Sequence, residues 1–270
     1  DIDIGAWKTK DFNGAGNYDF SADVEYLSKT PDIYIPIFGY DASGKMVEKK
    51  INKTGGGAAP LYGDIDVSEN TAGITAMMTY DFSEHKMAKS PITIGNSPWS
   101  DITSEGGEDF ESSVSLVSGE EKITCSFGGG YLKSGDTVSV IVVKPTDKTV
   151  DVDEYFANLG PESLEDIYWI GAERLGYGKQ VDIPCTETGV YYLLAAKSGI
   201  SGSEKKCVRL CVSTQQERDD CIKAFFEGSE DDFERNVELY IFDKEIVSVS
   251  QLAESDKNVL KSESYKKLLM

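Results

Sequence analysis

Val138-Ser139-Val140-Ile141-Val142-Val143 is followed by Ile167-Tyr168-Trp169-Ile170-Gly171, then by Gln180-Val181-Asp182-Ile183-Pro184, then by Gly189-Val190-Tyr191-Tyr192-Leu193-Leu194-Ala195. Each run is rich in β-branched and aromatic residues and is bounded by Gly, Pro, Asp or Ser, the pattern of strands separated by turns. In the first run Val138, Val140 and Val142 take one face, and Ser139, Ile141 and Val143 the other. Residues 206–212 read as a closing strand. Residues 112–213 therefore form one antiparallel β-sandwich, with turns at Gly128-Gly129-Gly130 and Ser134-Gly135-Asp136. The acidic stretch 147–166 interrupts the strands, and 153–159 suits one helical turn.

The same grammar extends upstream. Residues 18–27, 33–40, 46–51, 63–67, 74–80 and 91–94 are strand-like, and Asp41-Ala42-Ser43-Gly44 between two of them is a hairpin signal. Three glycines and a proline make 54–60 a loop. Residues 1–97, including a short lead, are expected as a first β-sandwich. Residues 98–111 lack periodicity and are expected as a linker. After Ser213 the period changes to helical spacing: Cys221, Ile222, Phe225 and Phe226, then Phe233, Val237, Tyr240 and Ile241, then Val259, Leu260, Tyr265, Leu268 and Leu269. Ser229 and Ser255 suit N-caps. The expected fold is mainly β: two Ig-like antiparallel sandwiches followed by a small α-helical segment, 214–270.

Composition narrows function. At 270 residues and 40% hydrophobic, the chain can bury two cores. Its net charge of −20 repels nucleic-acid phosphates and anionic membranes, so neither is an expected partner. No apolar run is long enough to span a bilayer. The start at Asp1 suggests a trimmed or processed piece of a longer chain. The five cysteines, Cys125, Cys185, Cys207, Cys211 and Cys221, leave at least one unpaired in a monomer. Cys207 and Cys211, four apart in a strand, lie roughly 13 Å from each other, too far for a disulfide. Buried thiols are expected, with a cross-strand Cys185–Cys207 pair as the alternative.

The run Tyr40-Asp41-Ala42-Ser43-Gly44-Lys45-Met46-Val47, with the strands 74–80 and 89–94, resembles a small Ig-like module of large extracellular proteins of Gram-positive anaerobes. Residues 137–145, 167–171, 189–192 and 208–212 resemble an Ig-like repeat of the same proteins, and the tail resembles the helical segment that often follows. This resemblance covers most of the chain and implies accessory modules of a secreted or surface-attached protein. It carries no shared catalytic residues.

Candidate chemistry is sparse. His85 is the single histidine; it sits in a polar turn and alone supplies neither a catalytic triad nor a zinc set. Paired carboxylates could hydrolyse glycosides, but among 47 acidic residues spacing selects no pair. Asp64 with Asp66, or Asp151 with Asp153 and Glu154, could ligate a structural Ca²⁺; no other cofactor is expected. Trp99 and Trp169 are the candidate stacking platforms for a sugar ring, with Trp7 a third aromatic, and core or inter-domain packing is the competing role. One of Tyr191 and Tyr192 should face solvent. The Asn52-Lys53-Thr54 sequon has no support beyond its pattern. The expected function is non-catalytic: spacing, adhesion or display at a bacterial surface, with a cell-surface protein or glycan as partner. The alternative is a carbohydrate-binding module of a polysaccharide-degrading enzyme.

Overall fold

Tyr18, Phe20 and Ala22 point to one face of β2 (Gly16–Ala22) and are fully buried. Their neighbours Asn17 and Asp19 are exposed. That two-residue period lets a narrow ribbon cover a core. In the computed structural model, which describes residues 2–27, 32–54, 60–81, 86–102, 114–119, 122–128, 133–147, 149–187, 189–199 and 203–212, β2 pairs antiparallel with β6 (Leu61–Val67). β1 (Ile2–Ile4) pairs with β3 (Val24–Leu27). The opposing sheet runs β5 (Met46–Thr54), β4 (Ile33–Tyr40), β7 (Gly73–Asp81), β8 (Lys86–Gly95). Ile33, Ile35 and Ile37 of β4 and Ile74, Ala76 and Met78 of β7 meet Tyr18, Phe20 and Ile65 between the layers.

The open edge of β6 is closed by side chains. Thr54 Oγ1 donates to the Tyr62 carbonyl at 3.1 Å, and Asn52 Nδ2 donates to the Asp64 carbonyl at 3.1 Å. Both satisfy carbonyls that an edge strand otherwise leaves bare. Asn52 of the sequon is thus committed to holding two strands together.

The second sandwich repeats this plan. One sheet has the order β10 (Val114–Gly119), β11 (Lys122–Phe127), β14 (Gly178–Pro184), β9 (Trp99–Ile102); the other is β13 (Ile167–Arg174), β12 (Thr137–Val143), β15 (Gly189–Ser198), β16 (Glu204–Val212). Strand for strand, β11, β12, β13, β14, β15 and β16 pair as β2–β3, β4, β5, β6, β7 and β8 do. The two halves share one topology without sharing a recognisable sequence repeat. Early in β15, the Tyr191 hydroxyl donates to the Glu187 carbonyl at 2.6 Å, four residues upstream. This is the tyrosine corner typical of Ig-type sandwiches.

β12 is buried along its whole length, and so is most of β15. Both lie in one buried cluster with residues of β11 and β14 and with Phe156 and Leu159 of the β12–β13 connection. That connection holds α1 (Val152–Ala157), capped by the Asp151 carboxylate, which accepts from the Asp153 and Glu154 amides. A 3-10 helix follows at Pro161–Asp166. Tyr155 of α1 sits edge-on to Tyr192, their ring centres 5.5 Å apart, and Tyr192 donates to the Val150 carbonyl at 2.7 Å. Both Tyr191 and Tyr192 are therefore buried, against the expectation of one exposed hydroxyl: the connection supplies a third layer.

The expected helical turn at 153–159 corresponds to α1. The expected helical tail, 214–270, lies outside the described residues, as do His85 and most of the expected linker. The linker's first part does fall within them: residues 99–102 are not a spacer but the strand β9, hydrogen-bonded to β14.

Candidate functional site

The sandwiches meet at a buried joint, and its construction starts on β4. Ile33, Ile35 and Ile37 point into the first core, so Phe38 and Tyr40 must point out of it. Nevertheless Phe38 is 0% and Tyr40 1% exposed, and with Met77 of β7 they belong to the core of the second sandwich. Ile51, Met46 and Met87 pack beside them. Around these residues the outer face of the first four-stranded sheet is thus apolar and covered.

What covers it is β13, an edge strand of its own sheet, whose outward carbonyls need donors. The Tyr40 hydroxyl donates to the Ile170 carbonyl at 2.5 Å in a buried contact. Burial drives the Tyr40 phenol far above its ordinary value, so it stays protonated and keeps its role as donor. Lys49 Nζ donates to the carbonyls of Leu164 and Ile167 at 2.8 and 3.1 Å, placing a cation at the C-terminal end of the 3-10 helix, where the backbone dipole favours it.

The β4–β5 hairpin completes the lock. The Asp41 carboxylate accepts from the Ser43 amide, the Ser43 hydroxyl and the Lys45 amide at 2.8, 2.7 and 3.1 Å. Gly44 takes φ +85°, a left-handed conformation that suits glycine. Partial burial raises the Asp41 carboxyl, but the hydrogen bonds from Ser43 and Lys45 outweigh it and hold it below its ordinary value. This rigid turn presents the Gly44 carbonyl to Trp169 Nε1 at 3.0 Å. The hairpin that carried the sequence resemblance is therefore a docking element.

Both candidate stacking residues sit inside this joint. Trp169 is 1% and Trp99 7% exposed. Their rings lie 6.3 Å apart, with Tyr40 5.6 Å from Trp169 and Phe127 5.9 Å from Trp99. An aromatic row thus runs from the first sandwich through to the far sheet of the second. The indole faces are spent on other rings, so neither residue offers a sugar an open platform. Trp99 anchors β9: it lies opposite Val181, and two residues on, Asp101 pairs with Lys179 at 2.6 Å. Trp7 packs edge-on to Phe20 and donates to the Ser90 carbonyl at 2.8 Å.

A cleft of about 460 Å³ opens beside the joint, lined by Met46, Glu48, Lys144, Glu165, Asp166 and Tyr168 among others. Its charges are largely committed. Glu48 accepts from the Ser68 amide, Lys144 pairs with Glu187, and Asp166 accepts from the Tyr155 hydroxyl.

The remaining candidates are dispersed. Asp64 pairs with Lys50 at 2.8 Å, and Asp66 accepts from Asn17 at 3.0 Å. Asp151 is occupied as the α1 cap. Among the described residues no group of three or more His, Cys, Asp or Glu side chains is placed to hold a metal ion. Cys125, Cys185 and Cys207 are free thiols, so the alternative Cys185–Cys207 bridge is not formed. Burial pushes the Cys185 thiol up to about 12, and burial with the nearby Asp153 pushes Cys207 to about 12. Both are poor nucleophiles at neutral pH.

No protein-family model matches the chain, and no curated protein matches its sequence. Solved structures similar to it include a two-domain fibronectin type-III segment of chicken tenascin, at 12% identity and a TM-score of 0.24, over 78% of this chain and 100% of that one. The FN1–FN3 domains of chicken CNTN1 match at 12% identity and 0.27, over 79% and 66%. The BSP domain of a biofilm-associated protein matches at 11% identity and 0.22, over 78% of this chain but only 30% of that one. The strand order itself makes each half an Ig-like sandwich.

Proposed function

We propose that this chain is a non-catalytic pair of extracellular modules that spaces and displays, with a fixed angle between its two sandwiches. The observation that carries the reading is the joint: the Tyr40–Ile170 and Trp169–Gly44 hydrogen bonds are both buried, within an apolar contact. Neighbouring domains in one chain usually meet through more polar surfaces than this and move relative to each other. A joint buried in this way suits a strut. The partner in this reading is a protein or glycan of a cell surface, met at the loop ends that sandwiches leave free to vary. Tyr177, 74% exposed between Gly176 and Gly178, is the most open aromatic among the described residues.

The test is distance measurement by pulsed electron resonance, with spin labels on exposed positions of β2 and β16. A narrow distribution supports a strut, and a broad one overturns it. Turnover on a panel of glycosides and esters by the purified chain would overturn the non-catalytic part.

A further inference from the structure

We infer that the two sandwiches open and close as a single cooperative unit, with residues 96–102 serving as a structural part of the second. Three independent features carry this. The first is shared packing: Phe38, Tyr40 and Met77 come from the first sandwich but are buried in the same cluster as β12, β13 and β15. Unfolding the first sandwich strips cover from Trp169 and Ile170, and unfolding the second exposes Phe38 and Tyr40.

The second is edge protection. β13 has its outward carbonyls met by Tyr40 and Lys49, and β14 is closed by β9. The second sandwich thus depends on residues that precede it for both a bare edge strand and a sheet margin. The third is continuity. β8 ends at Gly95 and β9 begins at Trp99, so Asn96, Ser97 and Pro98 alone separate a strand of one sandwich from a strand of the other. Ser97 Oγ also donates to Glu173 at 3.3 Å, and its oxygen accepts from the Trp99 amide. Little slack remains for one body to open without pulling on the other. The inference concerns folding and stands apart from the display reading.

Native-state hydrogen exchange on the full chain, read by mass spectrometry, tests it. Ile65 lies on β6 in the first core, which forms a separate cluster from the joint. An Ile65→Ala substitution removes buried methyls and should speed the slowest amides of β4 and β7 by about thirtyfold or more. If the sandwiches are coupled, the slowest amides of β12 and β15 speed up by the same factor. If those amides keep wild-type protection while β4 and β7 lose theirs, the inference is overturned. Should Ile65→Ala fail to fold, Ile65→Val gives the same comparison at a few-fold change. Adding Tyr40→Phe to either variant should shrink the effect transmitted to β12 and β15; an undiminished effect would remove Tyr40 from the coupling.

Discussion

Gly171 sits under the Trp169 indole. A methyl group built there would lie 2.3 Å from Cη2 and about 3 Å from two further ring carbons. Ordinarily, Gly→Ala within a strand gains roughly 0.5–1 kcal/mol by restricting the unfolded chain. Here the ring would have to move, and it has nowhere to go: it is packed against Tyr40 and Trp99 and tethered to the Gly44 carbonyl. Overpacking of this kind costs about 1–3 kcal/mol. A displaced indole also breaks its buried hydrogen bond, for about 1–3 kcal/mol more. The predicted loss for Gly171→Ala is therefore about 2–5 kcal/mol, or roughly 5–15 °C in Tm for a chain of this size. Thermal unfolding followed by near-ultraviolet circular dichroism measures it. Gly176→Ala is the control, because a methyl there meets nothing within 4 Å and should change stability by under about 0.5 kcal/mol. Pairing Gly171→Ala with Trp169→Phe, whose smaller ring vacates the contested space, should give a double variant far less damaged than the sum of the singles. A Gly171→Ala protein that melts at or above the wild type would refute the packing argument outright.

The two indoles of the joint predict a contrast. Trp169 donates to Gly44, whereas Trp99 Nε1 is buried and finds no acceptor among the described residues; Trp169→Phe should therefore cost about 1–3 kcal/mol more than Trp99→Phe in urea unfolding. Tyr40→Phe leaves the Ile170 carbonyl without its donor and should lower the urea midpoint by the equivalent of about 1–3 kcal/mol, with little change in slope. Asp41→Ala removes three hydrogen bonds from the docking hairpin and should cost about 1–2 kcal/mol at pH 7. Because the Asp41 carboxyl is held below its ordinary value when folded, its contribution is present above the unfolded value and fades as the solution is acidified, so the gap between wild type and variant should close below about pH 4. The Cys185 thiol moves the other way. Folded it titrates near 12, against about 9 when exposed, so its contribution is complete below pH 9 and is lost as pH rises. Wild type should lose stability faster than Cys185→Ala between pH 9 and 10.5, by a slope that rises toward about 1.4 kcal/mol per pH unit.

Strands were readable where alternation or apolar runs met turn residues. Val138–Val143, Gly189–Ala195 and the Asp41–Gly44 turn carry their own local chemistry, and α1 announced itself through an acidic segment able to cap and start a helix. The joint has no such signature. Tyr40 and Ile170 are 130 positions apart, and nothing near either marks the other as its partner. Phe38 and Tyr40 simply looked like alternate members of an apolar strand. Trp99 stands among Pro, Ser and Asp, a linker-like composition; its strand character comes from the edge of β14, which lies about 80 residues onward. The sequence leaves Trp99 and Trp169 open between a stacking platform and packing, because a free face is decided by the neighbours that tertiary contact brings, and for Trp169 those are Tyr40 and Trp99. One clue was available: Trp169 is followed at the same-face position by Gly171, a vacancy that fits a large ring lying along its own strand.

β9 also bears on how such a gene can be divided. By chain order these four residues trail the first sandwich; by hydrogen bonding they belong to the second. A recombination point placed just after Gly95 separates two tidy-looking halves and carries the strand along with its true sheet. One placed a few codons later, after Ile102, strands the Trp99 anchor on a body that has no slot for it. The recipient half is then left with a raw β14 margin open to pairing with any extended chain nearby. Swaps between relatives of this protein should therefore survive the earlier cut and aggregate from the later one.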